Sequence, residues 1–127
     1  MFRVYDKEQD KWVKNNIYMN SNDDLYLIKQ SLFGMIKIPL ALDIERYICH
    51  RDIGLYDKYD VLIFEGDFVK AQVDEDKEVI GLVAYAYELS AYVILCVDSE
   101  EFYALGSQVC QYIEVIGNVF DDYKKQV

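Results

Sequence analysis

The fold class that this chain predicts is mostly β: a barrel-like sheet of short antiparallel strands with little helix. Three observations carry the expectation. Twelve of the 127 residues are tyrosine and only one is proline, and Tyr, Val and Ile together favour strands. Charged turns, Asp74 to Glu78 and Asp98 to Glu101, join apolar runs at short spacing, a pattern that suits a barrel or a sandwich-like sheet. Between Gly54 and Lys70, two apolar runs, Val61 to Phe64 and Phe68-Val69, flank Glu65-Gly66-Asp67. The first run is β-branched and aromatic and too short for a helix. Gly66 reaches backbone angles closed to other residues, so the triplet marks a tight turn or bulge. The Asp67 side chain can accept a backbone N–H and fix it.

The elements follow in order. Phe2 to Tyr5 reads as a first strand, Asp6 to Asp10 as a polar turn, and Trp12-Val13 as the return arm of a hairpin. Ile17-Tyr18-Met19 is a short strand between the Asn15-Asn16 and Asn20 to Asp24 loops. Leu25 to Leu32 fits a helical spacing through Leu25, Ile28 and Leu32, and also a strand. The favoured reading is a hairpin turning near Ser31 to Gly34, with Met35 to Ile38 as its second arm and Pro39 as its end. Leu40 to His50 has helical spacing at Leu40, Ile44 and Ile48, against a strand from about Ile44 to Cys49. Asp57-Lys58-Tyr59-Asp60 is a loop feeding Val61 to Phe64. Lys70 to Val73 and Val79 to Val83 form a hairpin, with the second arm running on to Tyr87. Tyr92 to Val97 is a central strand, and Phe102 to Leu105 a strand or a helix start. Gly106-Ser107 punctuates the chain before Tyr112 to Phe120 closes the sheet, and Asp121 to Val127 is a polar tail. In the closing strand Ile113, Val115, Gly117 and Val119 share one face, and Glu114, Ile116, Asn118 and Phe120 the other. Gly117 suggests a bulge or a close backbone approach. This strand is expected to pair with the stretch after Gly66. Alternation is imperfect elsewhere, which leaves room for strands covered on both faces.

Residues 1–127 are expected to form a single domain, long enough to need no metal or disulfide staple. The net charge is −10, from 23 acidic and 13 basic residues. Duplex binding depends on cations that displace counterions from phosphate, so this balance weighs against direct nucleic-acid binding and favours solubility. An acidic face that mimics nucleic acid or docks on a basic partner is the sharper alternative. Cys49, Cys96 and Cys110 are odd in number and match no disulfide framework. Cys96, inside an apolar run, reads as a buried free thiol of a reducing cytoplasm. No signal peptide and no membrane span are expected.

Three segments carry a resemblance. Phe2-Arg3-Val4-Tyr5-Asp6-Lys7, the stretch from Gly54 to Val69, and Val115-Ile116-Gly117-Asn118-Val119-Phe120 resemble the YopX family of small phage and prophage proteins. Its pattern is Phe-Arg-x-Trp/Tyr-Asp-Lys, then Gly-Leu-x-Asp-Lys-x-Gly leading to (Tyr/Phe)-Glu-Gly-Asp-(Ile/Phe)-Val, then Val-Ile-Gly-Asn-(Ile/Val)-(Tyr/Phe). Order and spacing hold over nearly the whole chain. Asp60 stands where the family loop usually carries glycine, and Asp121-Asp122-Tyr123 where the family often continues Glu-Asn-Pro. The resemblance implies a pseudo-barrel over about residues 53–121, a strand rather than a helix near Ile44 to Cys49, and a bacterial cytoplasmic setting. It implies no activity. The motif residues Gly54, Glu65, Gly66, Asp67, Gly117 and Asn118 are expected to be structural.

Candidate chemistry is sparse. Glu65 and Asp67 could do acid–base work or hold a metal, but the glycine between them already has a structural reason. Asp74, Asp76 and Glu78 faintly suggest a calcium loop; Val79 stands where its glycine is required and Tyr85 where its last glutamate is. His50 is the only histidine, and its neighbour Cys49 cannot converge with it on zinc. A pairing of His50 with Cys96 would need an approach in space that sequence does not show. The serines lack a nucleophile-elbow context, and the six glycines form no phosphate loop. No cofactor and no metal are expected, and the chain reads as a non-enzyme. The tyrosines are the most suggestive binding feature. Tyr85, Tyr87, Tyr92 and Tyr103, with Tyr112, fall in or near strands, and Tyr85 and Tyr87 share a face. Exposed aromatics can anchor a protein interface or stack bases; core and rim positions are the plainer reading. The leading expectation is an accessory protein that binds a host or phage protein, with homo-oligomerisation open. A nucleic-acid-related role comes second, and a small hydrolase or metal enzyme using Glu65 and Asp67 third.

Overall fold

The computed structural model describes residues 1–14, 17–22, 24–32, 34–40, 45–106 and 112–120. Asn15-Asn16, Asp23, Ile44, Ser107, Cys110 and the tail 121–127 lie outside them. The chain divides into two compact units, Met1–His50 and Arg51–Val127. Among the described residues the regular elements are twelve strands, with helical turns only at Leu40 and at Val119-Phe120. The mostly β expectation holds.

In the first unit β1 (Phe2–Asp6) and β2 (Lys11–Val13) form the expected hairpin, with Val4 opposite Val13 and Tyr5 opposite Trp12. The Asp6 side chain closes its turn by accepting the backbone N–H groups of Glu8 and Gln9 at 3.1 and 3.2 Å. β3 (Ile17–Met19), β4 (Leu25–Ser31) and β5 (Gly34–Pro39) make a three-stranded meander. The stretch that fitted both helix and strand is thus a strand, and Ser31 pairs with Gly34, which has φ 113°. Val4, Leu27 and Leu40 are the buried centre, flanked by Phe2, Val13, Ile17, Leu25, Tyr47 and Cys49. β6 (Tyr47–Tyr56) begins in this unit beside β1.

β6 corrects the expected strand of about Ile44 to Cys49. It starts at Tyr47 and continues through Gly54 and Leu55 to Tyr56, a span the motif reading had assigned to a loop. Gly54, at φ 80°, lets the strand continue through an irregularity in its pairing. An added Cβ there would meet nothing within 4 Å, so the glycine serves backbone angle, not space. The Gly54 N–H donates to Asp52 at 3.0 Å.

In the second unit β7 (Leu62–Phe64) pairs with the later part of β6. β8 (Asp67–Asp74), β9 (Lys77–Ala86), β10 (Ala91–Cys96), β11 (Phe102–Ala104) and β12 (Ile113–Asn118) form one antiparallel sheet in the order β11-β10-β9-β8-β12. It is a half-barrel, open between the edge strands β11 and β12. The hairpin of β8 and β9 and the pairing of the closing strand with the post-Gly66 stretch are as expected. Phe102 to Ala104 is a strand, not a helix start. The core is the sheet's inner face: Val69, Ala71, Val79, Val83, Ile94, Cys96 and Ile113, with Ile63 of β7 and the half-buried Ile53 and Leu55 of β6. Each fully buried branched side chain contributes about 1.5–3 kcal/mol.

Gly81 sits where the backbones press together. A Cβ at this position would lie 2.5 Å from Ile94 Cγ2 and 2.5 Å from the Leu95 carbonyl oxygen. The face assignment of β12 needs a correction. Ile113 pairs with Ala71 and Val115 with Val69, but Gly117 pairs with Phe68 and Asn118 with Asp67. Ile116 is the extra residue of a bulge, and it resets the alternation. Asn118 therefore joins the inner face with Val115 and is buried, instead of pointing outward with Glu114.

Candidate functional site

Of the family-motif residues, Glu65 and Gly66 form the turn between β7 and β8 with Asp67 at its exit, Gly54 lies within β6, and Gly117 and Asn118 end β12. Asp67 is 1% exposed and accepts the Phe64 N–H at 2.9 Å. Gly66 beside it has φ 85°; its N–H donates to the Val83 carbonyl and its own carbonyl accepts from Val119, both at 2.8 Å. Asn118 Oδ1 accepts the Phe120 N–H at 3.0 Å. Glu65 turns elsewhere: its carboxylate accepts the Arg51 N–H at 3.1 Å, while the Arg51 carbonyl accepts the Glu65 N–H. Glu65 and Asp67 thus engage different backbone segments. Among the described residues no group of three or more His, Cys, Asp or Glu side chains is placed to hold a metal.

Two further aspartates do similar work. Asp57 is buried. One carboxylate oxygen accepts the N–H groups of Tyr59 and Val61 at 2.8 and 2.9 Å, and the other accepts that of Val115 at 2.9 Å. It knots the loop before β7 and ties it to β12. Asp6, also buried, takes a forked pair from Arg46, Nε at 3.0 Å and Nη2 at 2.9 Å. The Arg46 guanidinium holds the Asp6 carboxyl below its usual 3.8.

Three of the four candidate tyrosines come together. Tyr85 pairs with Tyr92 across β9 and β10. Its ring meets the rings of both Tyr87 and Tyr92 edge-on, each with centroids 5.0 Å apart. Tyr85 and Tyr92 share a face with Val83 and Ile94, so they cap the end of the core. Tyr85 is 36% and Tyr87 85% exposed. Burial, followed by the charge of Glu65, raises the pKa of the Tyr92 hydroxyl. Tyr103 is apart from them. Its hydroxyl donates to Glu101, which also accepts Lys77 Nζ at 2.7 Å. That pairing holds the Lys77 ammonium firmly protonated and pulls the Glu101 carboxyl down.

The charged turns gather at the other end of the β9 strand. The turn after β8 is only Glu75-Asp76, with Asp74 opposite Lys77. A shallow cleft of about 370 Å³ beside it is lined by Lys77, Glu78, Ile80, Val97, Asp98 and Glu101, among others.

Comparison with known proteins agrees with this architecture. The family described as YopX protein matches residues 1–124. The chain belongs to the YopX family. The crystal structure of protein yopX from Bacillus subtilis aligns with a TM-score of 0.56 at 17% identity, covering 94% of this chain and 92% of that one. That of protein EF1440 from Enterococcus faecalis aligns at 0.52 and 20% identity, covering 99% and 96%. At these identities the likeness is one of fold. No curated protein matches the chain.

In this YopX protein Asp60, which replaces the usual loop glycine, adopts φ 63°. Aspartate tolerates the left-handed region better than most residues, so it can hold an angle that favours glycine. His50 packs against Trp12, with centroids 6.1 Å apart. Cys96 is a buried free thiol, as expected, and Cys49 is half-buried.

Sequence reasoning missed Asp57, Arg46 and one surface. Phe68, Leu82, Leu95 and Phe102 stand directly opposite one another across β8 to β11 on the outer face. Leu95 and Phe102 at the end of this row are exposed. The imperfect alternation was its only trace.

Proposed function

We propose that this YopX protein is a non-enzymatic accessory protein of phage or prophage origin that binds another protein. Its docking surface is the Tyr85, Tyr87 and Tyr92 end of the half-barrel. The observation that supports this is an exposed tyrosine cluster on a rigid sheet: aromatic rings with few rotatable bonds are the usual anchors of protein interfaces, and edge-on packing pre-orders them. The cytoplasm of a bacterial host is the setting this reading assumes. No helix among the described residues is long and apolar enough to cross a membrane.

The test is capture from host lysate with nuclease present, comparing the native chain with Tyr85→Ser/Tyr87→Ala. A stoichiometric protein retained by the native chain and lost by the variant supports the reading. Recovery that depends on nucleic acid overturns it.

A second reading is acidic mimicry of nucleic acid. Residues 51–127 carry sixteen acidic and six basic side chains, and residues 1–50 seven of each, so the whole excess of −10 falls in the second unit. A partner captured equally well by the tyrosine variant, but lost on Asp98→Asn/Glu100→Gln, would favour it.

A further inference from the structure

We infer that the chain forms a two-fold dimer by pairing the free edge of β11 with the same edge of a second copy. The half-barrel sheet has two edges, and they are finished differently. Along β12 the outward groups are used: the Val115 N–H donates to Asp57, and the Ile113 carbonyl accepts the Lys58 N–H, both at 2.9 Å. Along β11 they are not. The Glu101 carbonyl accepts the Cys96 N–H at 3.1 Å and the Leu105 N–H donates to the Tyr92 carbonyl at 3.0 Å, so Glu101, Tyr103 and Leu105 face β10. In an antiparallel ladder the residues between them direct both backbone groups outward. Those residues are Phe102 and Ala104. Both are exposed, and among the described residues no backbone group meets theirs from the open side.

An unpaired edge is a template for another strand, and a copy of β11 completes this one. A two-fold axis at Tyr103 sets Phe102 opposite the partner's Ala104, and Ala104 opposite the partner's Phe102. Each pair exchanges two backbone bonds, so no outward group of either residue is left over. The side chains suit the same register. On the outer face the apolar row of Phe68, Leu82 and Leu95 ends exposed at Phe102. The axis carries that row on into the partner's Ala104 and Val93, and sets a large ring beside a small methyl. On the inner face Tyr103 meets the partner's Tyr103 at a close position, a favourable aromatic cross-strand pair.

Charge permits association in this register although each copy carries −10. Phe102-Tyr103-Ala104 is uncharged. Glu101, the end of the acidic turn, falls opposite the partner's Leu105. The two Glu101 residues are then offset by four positions, about 14 Å, which exceeds the screening length of about 8 Å at physiological salt. Other edges are less open. β2 carries Lys11 and β5 carries Lys37 and Pro39, residues that discourage edge pairing, and the residues of β3 are half-buried.

The test is sedimentation equilibrium of the full chain over a range of concentrations, with amide hydrogen exchange followed by NMR at low and high concentration. A monomer–dimer equilibrium is expected, with exchange at Phe102 and Ala104 slowing as the dimer fills. Ala104→Pro removes an N–H that the chain itself does not use, at an edge position that admits proline. Phe102→Lys places a charge on an exposed edge position. Each is expected to weaken the dimer about tenfold or more, with the far-ultraviolet circular dichroism of the native chain retained. Ile80→Gln, on the outer face two strands away, is expected to leave the dimer unchanged. Should the proline variant fail to fold, Phe102→Lys and the exchange data decide. A monomer at every concentration up to about 1 mM, an assembly larger than the dimer, or a dimer in which the Phe102 and Ala104 amides gain no protection overturns the inference. So does a dimer that survives Phe102→Lys and is lost in Ile80→Gln, which would place the contact on the sheet face.

Discussion

Asp6, Asp57 and Asp67 each lie in a motif segment, each is buried, and each accepts backbone N–H groups of a turn. A carboxylate removed from water needs such donors. Asp67→Ala leaves the Phe64 N–H without its acceptor in the interior, and a loss of about 2 kcal/mol is expected in urea unfolding. Glu65→Gln, two residues away, is expected to change stability by under about 0.5 kcal/mol. Similar losses from both would place Glu65 in the structural set. Asp6 adds a pH dependence. Its folded pKa is depressed by Arg46, so its contribution is fully present above the ordinary carboxylate value of 3.8 and is lost as pH falls through the lower folded value. Asp6→Asn is expected to cost about 2 kcal/mol at neutral pH and to flatten the acid limb of stability against pH. The role of Asp67 was legible because its partner is three residues away. Those of Asp6 and Asp57 were not: Arg46 is 40 residues from one, and Val115 is 58 from the other.

Hairpins were the most legible elements, because a local turn signal sets each one. The β8–β9 hairpin and β10 followed directly from charged turns between apolar runs. The strand β4 was ambiguous because its apolar spacing satisfies two periods at once; pairing on both sides with β3 and β5 decides it. β6 was the weakest reading. A glycine and a tyrosine followed by polar residues look like a loop, and only the pairing with β7 shows that the strand absorbs them. The bulge at Ile116 was suspected from Gly117, but its effect on Asn118 depends on which residue is extra, and that is a property of the pair. Gly81 marks an element whose packing depends on a missing side chain. Gly81→Ala is expected to destabilise by about 2–3 kcal/mol through overpacking against Ile94 and the Leu95 carbonyl. An unchanged urea midpoint would mean that β10 can move aside.

At the scale of the molecule, neutral and acidic halves of the sequence coincide with the two compact units. The net charge alone gave no hint of this division. Nor did tyrosine content show which rings would cluster: Tyr85, Tyr87 and Tyr92 converge, whereas Tyr103 is engaged with Glu101 and Lys77. The split follows from register, since Tyr92 and Tyr103 sit at different heights along β10 and β11.

The only tryptophan of the chain, Trp12, packs edge-on to Tyr5 at 5.1 Å and under the Arg3 guanidinium at 4.6 Å, within the first unit. Its emission is therefore an optical label that nature has placed on residues 1–50 alone. Far-ultraviolet circular dichroism, by contrast, sums the strands of both units. Followed together through thermal unfolding, the two signals compare the first unit with the whole chain. Superimposed curves are expected if the chain unfolds as one cooperative body; a tryptophan transition that runs ahead would mean that the neutral half melts first.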